Sequence, residues 1–374
     1  MSAPRQLRIG LSTTTTEPGL TGGRLDGIGV YSHALLRELP QAGCAVIPYS
    51  FGPTASLSVG RPMPRSLALA TVSDLLLPGT RQHMDVDVFH ATDYRIVRMD
   101  CPVVATLHDA LPIAHPEWCN PRLRGLKNWA QVNAARKADH VIAVSQFAIA
   151  ELVQCFGVDE RRISVVPNGV DEAWLEPAPE SRVAETLRSL GLRAGYFLTV
   201  GTIQPRKNFA RLLEAYLGLP ANVRAQRQLV IVGAPGARSD DVVNRIRAAQ
   251  QRGENVVWLS HLTSFDQLRH VYAGAGVFVF PSLYEGFGIP VVEAFGAGVP
   301  VIASNATSVP EVTAGAAVDV DPLSVSAIGS AMLELARDDA LRRRCMAAGT
   351  VRALQLTWRE TARKTAAVYR ALLK

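Results

Sequence analysis

The sequence predicts an α/β protein with two doubly wound parallel sheets, one in each of two domains that face each other across a cleft. A chain of 374 residues is too long for one compact core and suits two domains of ordinary size. Short, almost wholly apolar segments recur between helical segments, as in buried parallel strands. A turn-rich segment at 167–181 separates two halves of this pattern and predicts domains at 1–173 and 174–356.

Each half supplies the strands of one sheet. The strands predicted in the first half are Leu7–Ser12, Ala45–Tyr49, Asp87–His90, Val103–Leu107, His140–Val144 and Ile163–Val166. Its predicted helices are Ile28–Leu39, Leu123–Lys137 and Gln146–Phe156. The strands predicted in the second half are Phe197–Val200, Leu229–Val232, Val256–Leu259, Val277–Phe280, Val301–Ala303 and Ala316–Asp319. Beyond Leu323 the chain has a helical pattern.

Composition narrows the class of protein. Hydrophobic residues at 48% and charged residues at 19% are typical of a soluble globular protein. Five scattered cysteines without a C-x-x-C pair argue against a disulfide framework or structural zinc. Together with the lack of a signal-peptide core or an uninterrupted apolar span, this predicts a cytoplasmic location. A net charge of +6 without an aromatic-interleaved basic stripe argues against nucleic acid as a partner.

The stretch 281–293 places two carboxylates, Glu285 and Glu293, around a Gly-Phe-Gly turn. It follows a predicted strand, and Pro290 suits the first turn of a helix because its missing N–H needs no partner there. The turn therefore lies at the carboxyl end of a strand, where open α/β sheets bind ligands. The amides of the turn belong to Gly286, Phe287 and Gly288. Amides suit phosphate oxygens and carboxylates suit sugar hydroxyls, so the stretch predicts a nucleotide-sugar site.

The turn Gly201–Asn208 follows the first predicted strand of the second domain and opens a helix. It brings Arg206 and Lys207 to the carboxyl end of that strand. Cations are disfavoured near a helix N-terminus unless an anion lies there. This placement favours a diphosphate-binding pair over an exposed basic pair in solvent.

A glycine loop, Gly27–Gly29, lies between the first strand and its helix. Ser32 stands where a dinucleotide-binding fingerprint would have its third glycine, so an NAD-dependent dehydrogenase is disfavoured. Gly29 still allows the backbone to approach donor phosphates from the opposite domain.

His108 follows the predicted strand Val103–Leu107 directly, and its pKa near neutrality suits a hydrogen bond to an acceptor or sugar hydroxyl. Two Asp-x-Asp patterns, at 85–87 and 319–321, match a metal-binding signature of many sugar transferases. A pattern so short arises by chance, and each flanks an ordinary strand. We therefore expect no metal and no other cofactor.

Together these motifs resemble the family-4 retaining glycosyltransferases of the GT-B fold. The resemblance covers nearly the whole chain, and it includes the 166–171 turn and Trp358 in the final helix. It implies that the second domain binds a nucleotide-sugar and the first binds the acceptor. It also implies that a C-terminal helix, 357–374, returns to the first domain.

The resemblance implies roles for the donor-binding residues. Arg206 and Lys207 would hold the donor diphosphate and stabilise the leaving nucleoside diphosphate. Glu285 would bind hydroxyls of the transferred sugar, and Glu293 the ribose. The other donor-binding residues are Gly29, Gly201, Asn208, Gly286, Phe287 and Gly288.

The resemblance also implies the stereochemistry. His108 and the Gly29 loop would border the reacting centre. The anomeric configuration would be retained by departure and attack on one face, without an enzymic nucleophile. Catalysis of the transfer would then depend on electrostatic stabilisation of the leaving group.

Within the family, 107–117 and 281–290 resemble mannosyltransferase-like members that build bacterial surface polysaccharides such as O-antigen. This implies GDP-mannose or a GDP-deoxyhexose such as GDP-rhamnose as donor and a lipid-linked saccharide as acceptor. Segment 294–300 is shared with members that use UDP-sugars, which stay an alternative. A non-catalytic sugar-nucleotide-binding partner of a polysaccharide assembly complex is the alternative from another class. The basic stretch 121–137 suits contact with an anionic membrane on the inner face, an ordinary solvated face being the alternative.

Overall fold

The computed structural model describes residues 6–77, 79–119, 121–262 and 264–374. Those within Met1–Ala114, Arg122–Gly169 and Trp358–Lys374 form a first compact unit. Those within His115–Pro121 and Val170–Thr357 form a second unit. The chain thus passes into the second unit at 169–170, slightly before the boundary that the sequence suggests at 173.

The described part of the first unit contains a seven-stranded parallel sheet in the order β3-β2-β1-β4-β5-β6-β7. Its strands are β1 (Leu7–Ser12), β2 (Cys44–Ser50), β3 (Arg61–Pro62), β4 (Val88–Ala91), β5 (Val103–Leu107), β6 (His140–Ala143) and β7 (Ile163–Val165). The helices of this unit up to Gly169 are α1 (Pro18–Thr21), α2 (Gly27–Glu38), α3 (Leu67–Leu76), α4 (Leu111–Ala114), α5 (Arg124–Ala135) and α6 (Gln146–Phe156).

Local sequence accounts for these elements. Every side chain of β4 and β5 is buried, and all of these residues except His90 and Thr106 are apolar. Asp26 caps α2 by accepting a hydrogen bond from the Gly29 amide at 2.8 Å. Ser145 caps α6 in the same way, and Gly157 ends it with φ 64°.

The described part of the second unit contains a six-stranded parallel sheet in the order β10-β9-β8-β11-β12-β13. Its strands are β8 (Tyr196–Val200), β9 (Leu229–Val232), β10 (Val256–Leu259), β11 (Ala275–Phe280), β12 (Val301–Ser304) and β13 (Val318–Val320). Its helices are α7 (Glu180–Ser189), α8 (Phe209–Leu217), α9 (Ala221–Gln226), α10 (Asp240–Gln251), α11 (Phe265–Ala273), α12 (Ile289–Gly296), α13 (Val309–Thr313), α14 (Val325–Arg337) and α15 (Asp339–Gln355). Buried apolar side chains of α8, α10 and α14 pack on this sheet.

The last helix, α16 (Trp358–Leu372), belongs to the first unit, as the resemblance implied. The Tyr369 hydroxyl lies 2.6 Å from Nδ1 of the buried His90. His90 Nε2 lies 2.8 Å from the Thr106 hydroxyl, so both ring nitrogens are engaged. Burial lowers the pKa of His90 to about 3, which keeps the ring neutral. His90 thus joins α16 to the sheet.

Two elements of the first unit lie where the sequence predicts none. Segment 61–77 contains β3 and α3. Of the α3 side chains that the structure describes, only Ala70 is buried. The described side chains of α3 thus show no core-facing apolar periodicity that would identify the helix from its sequence.

Among the described residues, no helix combines the length and apolarity needed to cross a bilayer.

Candidate functional site

The candidate donor site lies at the centre of the second sheet. β8 pairs with β9 on one side and β11 on the other, so the strand order reverses between β8 and β11. Ligands of open α/β sheets bind at such a switch point, outside the carboxyl ends of the strands. The 201–208 turn follows β8, and the 281–288 loop follows β11. The topology alone therefore brings the two predicted motifs to one place.

The 201–208 turn is built to carry two cations. Gly201 has φ 151°, and a Cβ there would lie 3.6 Å from the Lys207 side chain. Asn208 has φ 61°, which lets the short 3₁₀ turn Pro205–Lys207 run into α8. Asn208 Nδ2 donates to the carbonyls of Pro281 at 2.9 Å and Pro322 at 2.6 Å. These contacts anchor the turn to the neighbouring loop, and donor contact by Asn208 stays a prediction.

Arg206, Lys207 and Glu285 form one ion cluster. Arg206 Nη1 lies 2.7 Å from Glu285 Oε2, and Lys207 Nζ lies 2.6 Å from Glu285 Oε1. The three side chains are only 19%, 10% and 6% exposed. Lys207 Nζ also lies 4.9 Å from the centre of the Phe280 ring. The predicted cations therefore face inward and share one carboxylate.

The charge state of Glu285 follows from these contacts. Burial would raise its pKa, but the charges of Arg206 and Lys207 outweigh burial and hold the pKa at about 2. Glu285 is thus ionised at neutral pH. Two cations around one carboxylate leave a local surplus of positive charge, which favours an incoming anion.

The loop after Glu285 is held by neighbouring hydroxyls. The Glu285 amide donates to Thr307 Oγ1 at 3.2 Å, and Ser308 Oγ donates to the Glu285 carbonyl at 2.8 Å. Gly288 has φ 109° and precedes α12, whose first turn contains Pro290 as expected. Among the residues that the structure describes, no protein acceptor takes a hydrogen bond from the amides of Gly286, Phe287 and Gly288. Three amides are therefore available beside the ion cluster.

Glu293 lies in α12 and differs from Glu285 in its charge. Its Oε2 accepts a hydrogen bond from the Tyr272 hydroxyl at 3.0 Å. Burial raises its pKa to about 7, although Tyr272 and the charge of Lys207 act in the opposite direction. Near neutral pH, Glu293 is present in both protonation states, so it can donate or accept a hydrogen bond.

Sequence reasoning missed an aromatic group beside this cluster. His115 stacks on Trp118 with ring centroids 4.3 Å apart, and meets the Tyr284 ring edge-on at 5.2 Å. The Tyr284 carbonyl accepts from Arg206 Nη1 at 3.1 Å. His115 and Trp118 thus pack on Tyr284, the residue that precedes Glu285. The partners are far apart in the chain, so no local pattern could have paired them.

In the first unit, Gly29 allows a close approach between two segments. A Cβ at Gly29 would lie 2.8 Å from the Thr15 carbonyl and 3.1 Å from the Leu25 side chain. The glycine is thus required by packing at the start of α2. Whether its backbone approaches a donor stays a prediction.

His108 follows β5 and is oriented by two contacts. Its Nε2 lies 3.1 Å from the Thr92 carbonyl, which can only accept, so Nε2 carries the proton. Its ring meets the Tyr31 ring edge-on with centroids 4.8 Å apart. Burial lowers the pKa of His108, although the Thr92 contact opposes this. The neutral ring therefore has Nδ1 as its acceptor atom, as binding a hydroxyl would require.

The Asp-x-Asp pairs have other contacts. Asp85 forms two hydrogen bonds of 2.7 Å with the Arg8 guanidinium, and Asp87 accepts from the Arg8 amide at 2.8 Å. Burial raises the pKa of Asp319. Within the described ranges, no three His, Cys, Asp or Glu side chains are grouped as metal ligands.

Comparison with known proteins agrees with these features. Residues 25–174 match the family described as Glycosyltransferase Family 4, and residues 189–352 match Glycosyl transferases group 1. O-antigen chain mannosyltransferase B of Escherichia coli is 31% identical over 288 residues, which cover 76% of this chain and 74% of that protein. Alpha-maltose-1-phosphate synthase of Mycobacterium tuberculosis is 28% identical over 395 residues, covering 97% and 99% of the two chains.

The fold has solved counterparts. The structure of Anabaena HepE in complex with UDP-glucose is similar with a TM-score of 0.72 at 18% identity, covering 98% of this chain and 100% of that one. With both family matches and the mannosyltransferase relative, these findings establish that the chain belongs to the family-4 glycosyltransferases and has the GT-B fold.

Proposed function

We propose that the protein transfers a hexose, with retention of configuration, from a nucleoside diphosphate sugar to a lipid-linked saccharide. The favoured donor is GDP-mannose or a related GDP-deoxyhexose such as GDP-rhamnose, and the product belongs to surface polysaccharide such as O-antigen. The observation that carries the proposal is the buried cluster in which Arg206 and Lys207 share Glu285 at the switch point of the second sheet. Such an acceptor would place the protein at the cytoplasmic face of the plasma membrane, as a peripheral protein.

The cluster suits the diphosphate of the donor. Arg206 and Lys207 carry more charge than Glu285 neutralises, and the three amides at 286–288 add hydrogen-bond donors. When the glycosidic bond breaks, negative charge grows on the leaving diphosphate. Cations and amides held in place before the reaction stabilise that charge without reorganising.

The carboxylates suit the sugar and the ribose rather than covalent catalysis. Each oxygen of Glu285 already accepts from a cation, which makes it a poor nucleophile. Its remaining acceptor capacity can take a hydrogen bond from a sugar hydroxyl. Glu293 is proposed to bind the ribose. Without a protein nucleophile, departure and attack on one face account for retention.

The relatives support different donors. The name of O-antigen chain mannosyltransferase B supports a mannosyl donor for this chain, which is 31% identical to it. HepE was solved with UDP-glucose, which supports a UDP-sugar as the alternative. We favour GDP because the mannosyltransferase has the higher sequence identity.

A thermal-shift panel tests the donor. We expect GDP-mannose or GDP-rhamnose to raise the melting temperature most, since a ligand at 100 times its Kd stabilises the native form by about 2.7 kcal/mol. The Arg206→Ala variant should lose that shift. A larger shift with a UDP- or dTDP-sugar would replace the GDP assignment, and no shift with any of them would overturn the donor site.

A transfer assay separates the enzyme from a non-catalytic partner. The protein is incubated with the donor chosen by the panel and a membrane extract that contains lipid-linked saccharide. We expect sugar to enter the lipid fraction with wild-type protein and not with Lys207→Ala. The binding-partner alternative would be favoured if the wild-type protein binds the donor without transferring sugar and the assembly complex is equally active with wild-type protein and with Lys207→Ala.

Transfer is expected to persist in EDTA. Arg206 and Lys207 already supply the positive charge that a divalent ion would otherwise place on the diphosphate. The initial rate is measured after dialysis against EDTA, with and without added Mg²⁺ or Mn²⁺. A rate that collapses in EDTA and returns with one of these ions would contradict metal independence.

A further inference from the structure

The first unit has a cavity of about 700 Å³ that the donor site does not account for. It lies between α3, α5 and the segment 93–98. Asp26 and Ile28 also line it, so the cavity reaches the start of α2. Its volume is that of a small-molecule site. The cavity therefore begins at the Gly29 turn and extends toward two helices on the surface of the unit.

The cavity has a surplus of positive charge. The basic residues that line it are Arg95, Arg98, Lys127, Arg136 and Lys137. Its acidic lining residues, Asp26 and Asp93, are both engaged. Asp26 Oδ1 accepts from the Gly29 amide at 2.8 Å, and Asp93 pairs with Arg95. The lining therefore suits an anion, and phosphate oxygens are the usual partners of such clusters.

The helices beside the cavity expose large apolar side chains. In α3, Leu69 is 64% exposed and Leu76 is 73% exposed. At α5, Leu123, Leu126 and Trp129 are 64%, 62% and 49% exposed. A helix on a soluble unit normally turns its apolar residues toward the core. Exposed apolar faces that flank a cationic cavity are typical of a surface that meets an amphiphile.

We propose that this cavity binds the diphosphate of the lipid-linked acceptor, while the exposed faces of α3 and α5 contact its hydrocarbon chain. The proposal rests on the proposed function and adds the place where the acceptor is held. The cations select the headgroup. Trp129, which also lines the cavity, has an apolar ring with a polar N–H, which suits the boundary between headgroup and hydrocarbon. The saccharide would then extend from the diphosphate toward the Gly29 turn.

Binding to isoprenoid diphosphate tests the proposal apart from transfer. The full chain is titrated calorimetrically with farnesyl diphosphate and with inorganic pyrophosphate. We expect farnesyl diphosphate to bind at least tenfold more tightly than pyrophosphate, because the hydrocarbon chain adds apolar contact. Equal affinity for the two would overturn the role of α3 and α5.

Variants separate the two ends of the ligand. A double variant with Lys127→Glu and Arg98→Glu is expected to bind farnesyl diphosphate at least about tenfold more weakly. Each reversed charge removes an attraction to the diphosphate and adds a repulsion. Leu126→Ser with Trp129→Ala should abolish the preference over pyrophosphate and spare pyrophosphate binding. Arg245→Glu, an exposed residue of α10, serves as the matched control and should bind as wild type does.

Further outcomes decide the source of the ligand and keep the two proposals apart. The protein is also tested with vesicles of phosphatidylglycerol alone and with vesicles that contain farnesyl diphosphate. Equally tight binding to both, with the same effects of the variants, would overturn the assignment to the lipid-linked acceptor and favour an anionic membrane surface. Unchanged affinity in the double charge variant would overturn the cavity as the site. If GDP-mannose still raises the melting temperature while farnesyl diphosphate fails to bind, this inference alone fails. Loss of the donor shift would instead overturn the proposed function.

Discussion

The Lys207→Ala variant is expected to transfer sugar about 100- to 1000-fold more slowly than the wild type, the cost of removing one fixed donor to developing negative charge. The wild-type Lys207 side chain is 10% exposed and its Nζ lies 2.6 Å from Glu285 Oε1, so the position of the ammonium is set before the donor arrives. The rate is measured under saturating donor, which isolates transition-state stabilisation from binding. Arg206 still pairs with Glu285 in the variant, so we expect the fold to persist.

Two comparisons make this result specific. Arg245→Ala removes an exposed cation from the same unit and should leave the rate unchanged. Lys207→Arg should recover part of the activity, because it keeps the charge but changes its geometry. A near-normal rate in Lys207→Ala would contradict the role of this residue in leaving-group stabilisation.

Replacing Glu285 by glutamine is expected to lower transfer about 100-fold, because it removes charge-assisted hydrogen bonds that position both cations. The substitution keeps the size of the side chain but leaves Arg206 and Lys207 without their shared carboxylate. Initial rates and far-UV circular dichroism are measured together. A folded variant with wild-type activity would refute the assignment.

The same variant has a defined pH response. The folded-state pKa of Glu285, about 2, is below the ordinary value of 4.5, so its ionised form stabilises the fold above pH 4.5. This contribution declines as pH falls from 4.5 through 2. The difference in unfolding free energy between wild type and Glu285→Gln should therefore narrow over that interval.

Much of the second sheet could be predicted because its four central strands are largely buried and therefore apolar in sequence. The predicted strands Leu229–Val232 and Val256–Leu259 have the observed bounds. The strand predicted at 277–280 begins two residues earlier in the structure, at Ala275. The cation pair was readable for another reason. Arg206 and Lys207 stand where a helix N-terminus disfavours positive charge, which predicted a compensating anion. The structure supplies Glu285 as one such partner.

Other features depend on contacts that no local pattern encodes. Nothing in the sequence indicated that Asn208 donates hydrogen bonds to the carbonyls of Pro281 and Pro322 and so anchors its turn, whereas its contact with the donor stays a prediction. The stacking of His115 and Trp118 beside Tyr284 joins residues more than 160 positions apart. Such pairings arise from chain topology, which periodicity and propensity do not specify.

The placement of α16 has a consequence for the order of folding during synthesis. The first unit needs Tyr369 as the partner of His90, yet the ribosome adds Tyr369 only after the whole of Val170–Thr357. The segment Val170–Thr357 has its own sheet and core by then, whereas β4 still lacks the hydroxyl that its histidine requires. A nascent chain stalled before α16 should therefore display a protease-resistant second unit and a first unit that is still open to cleavage.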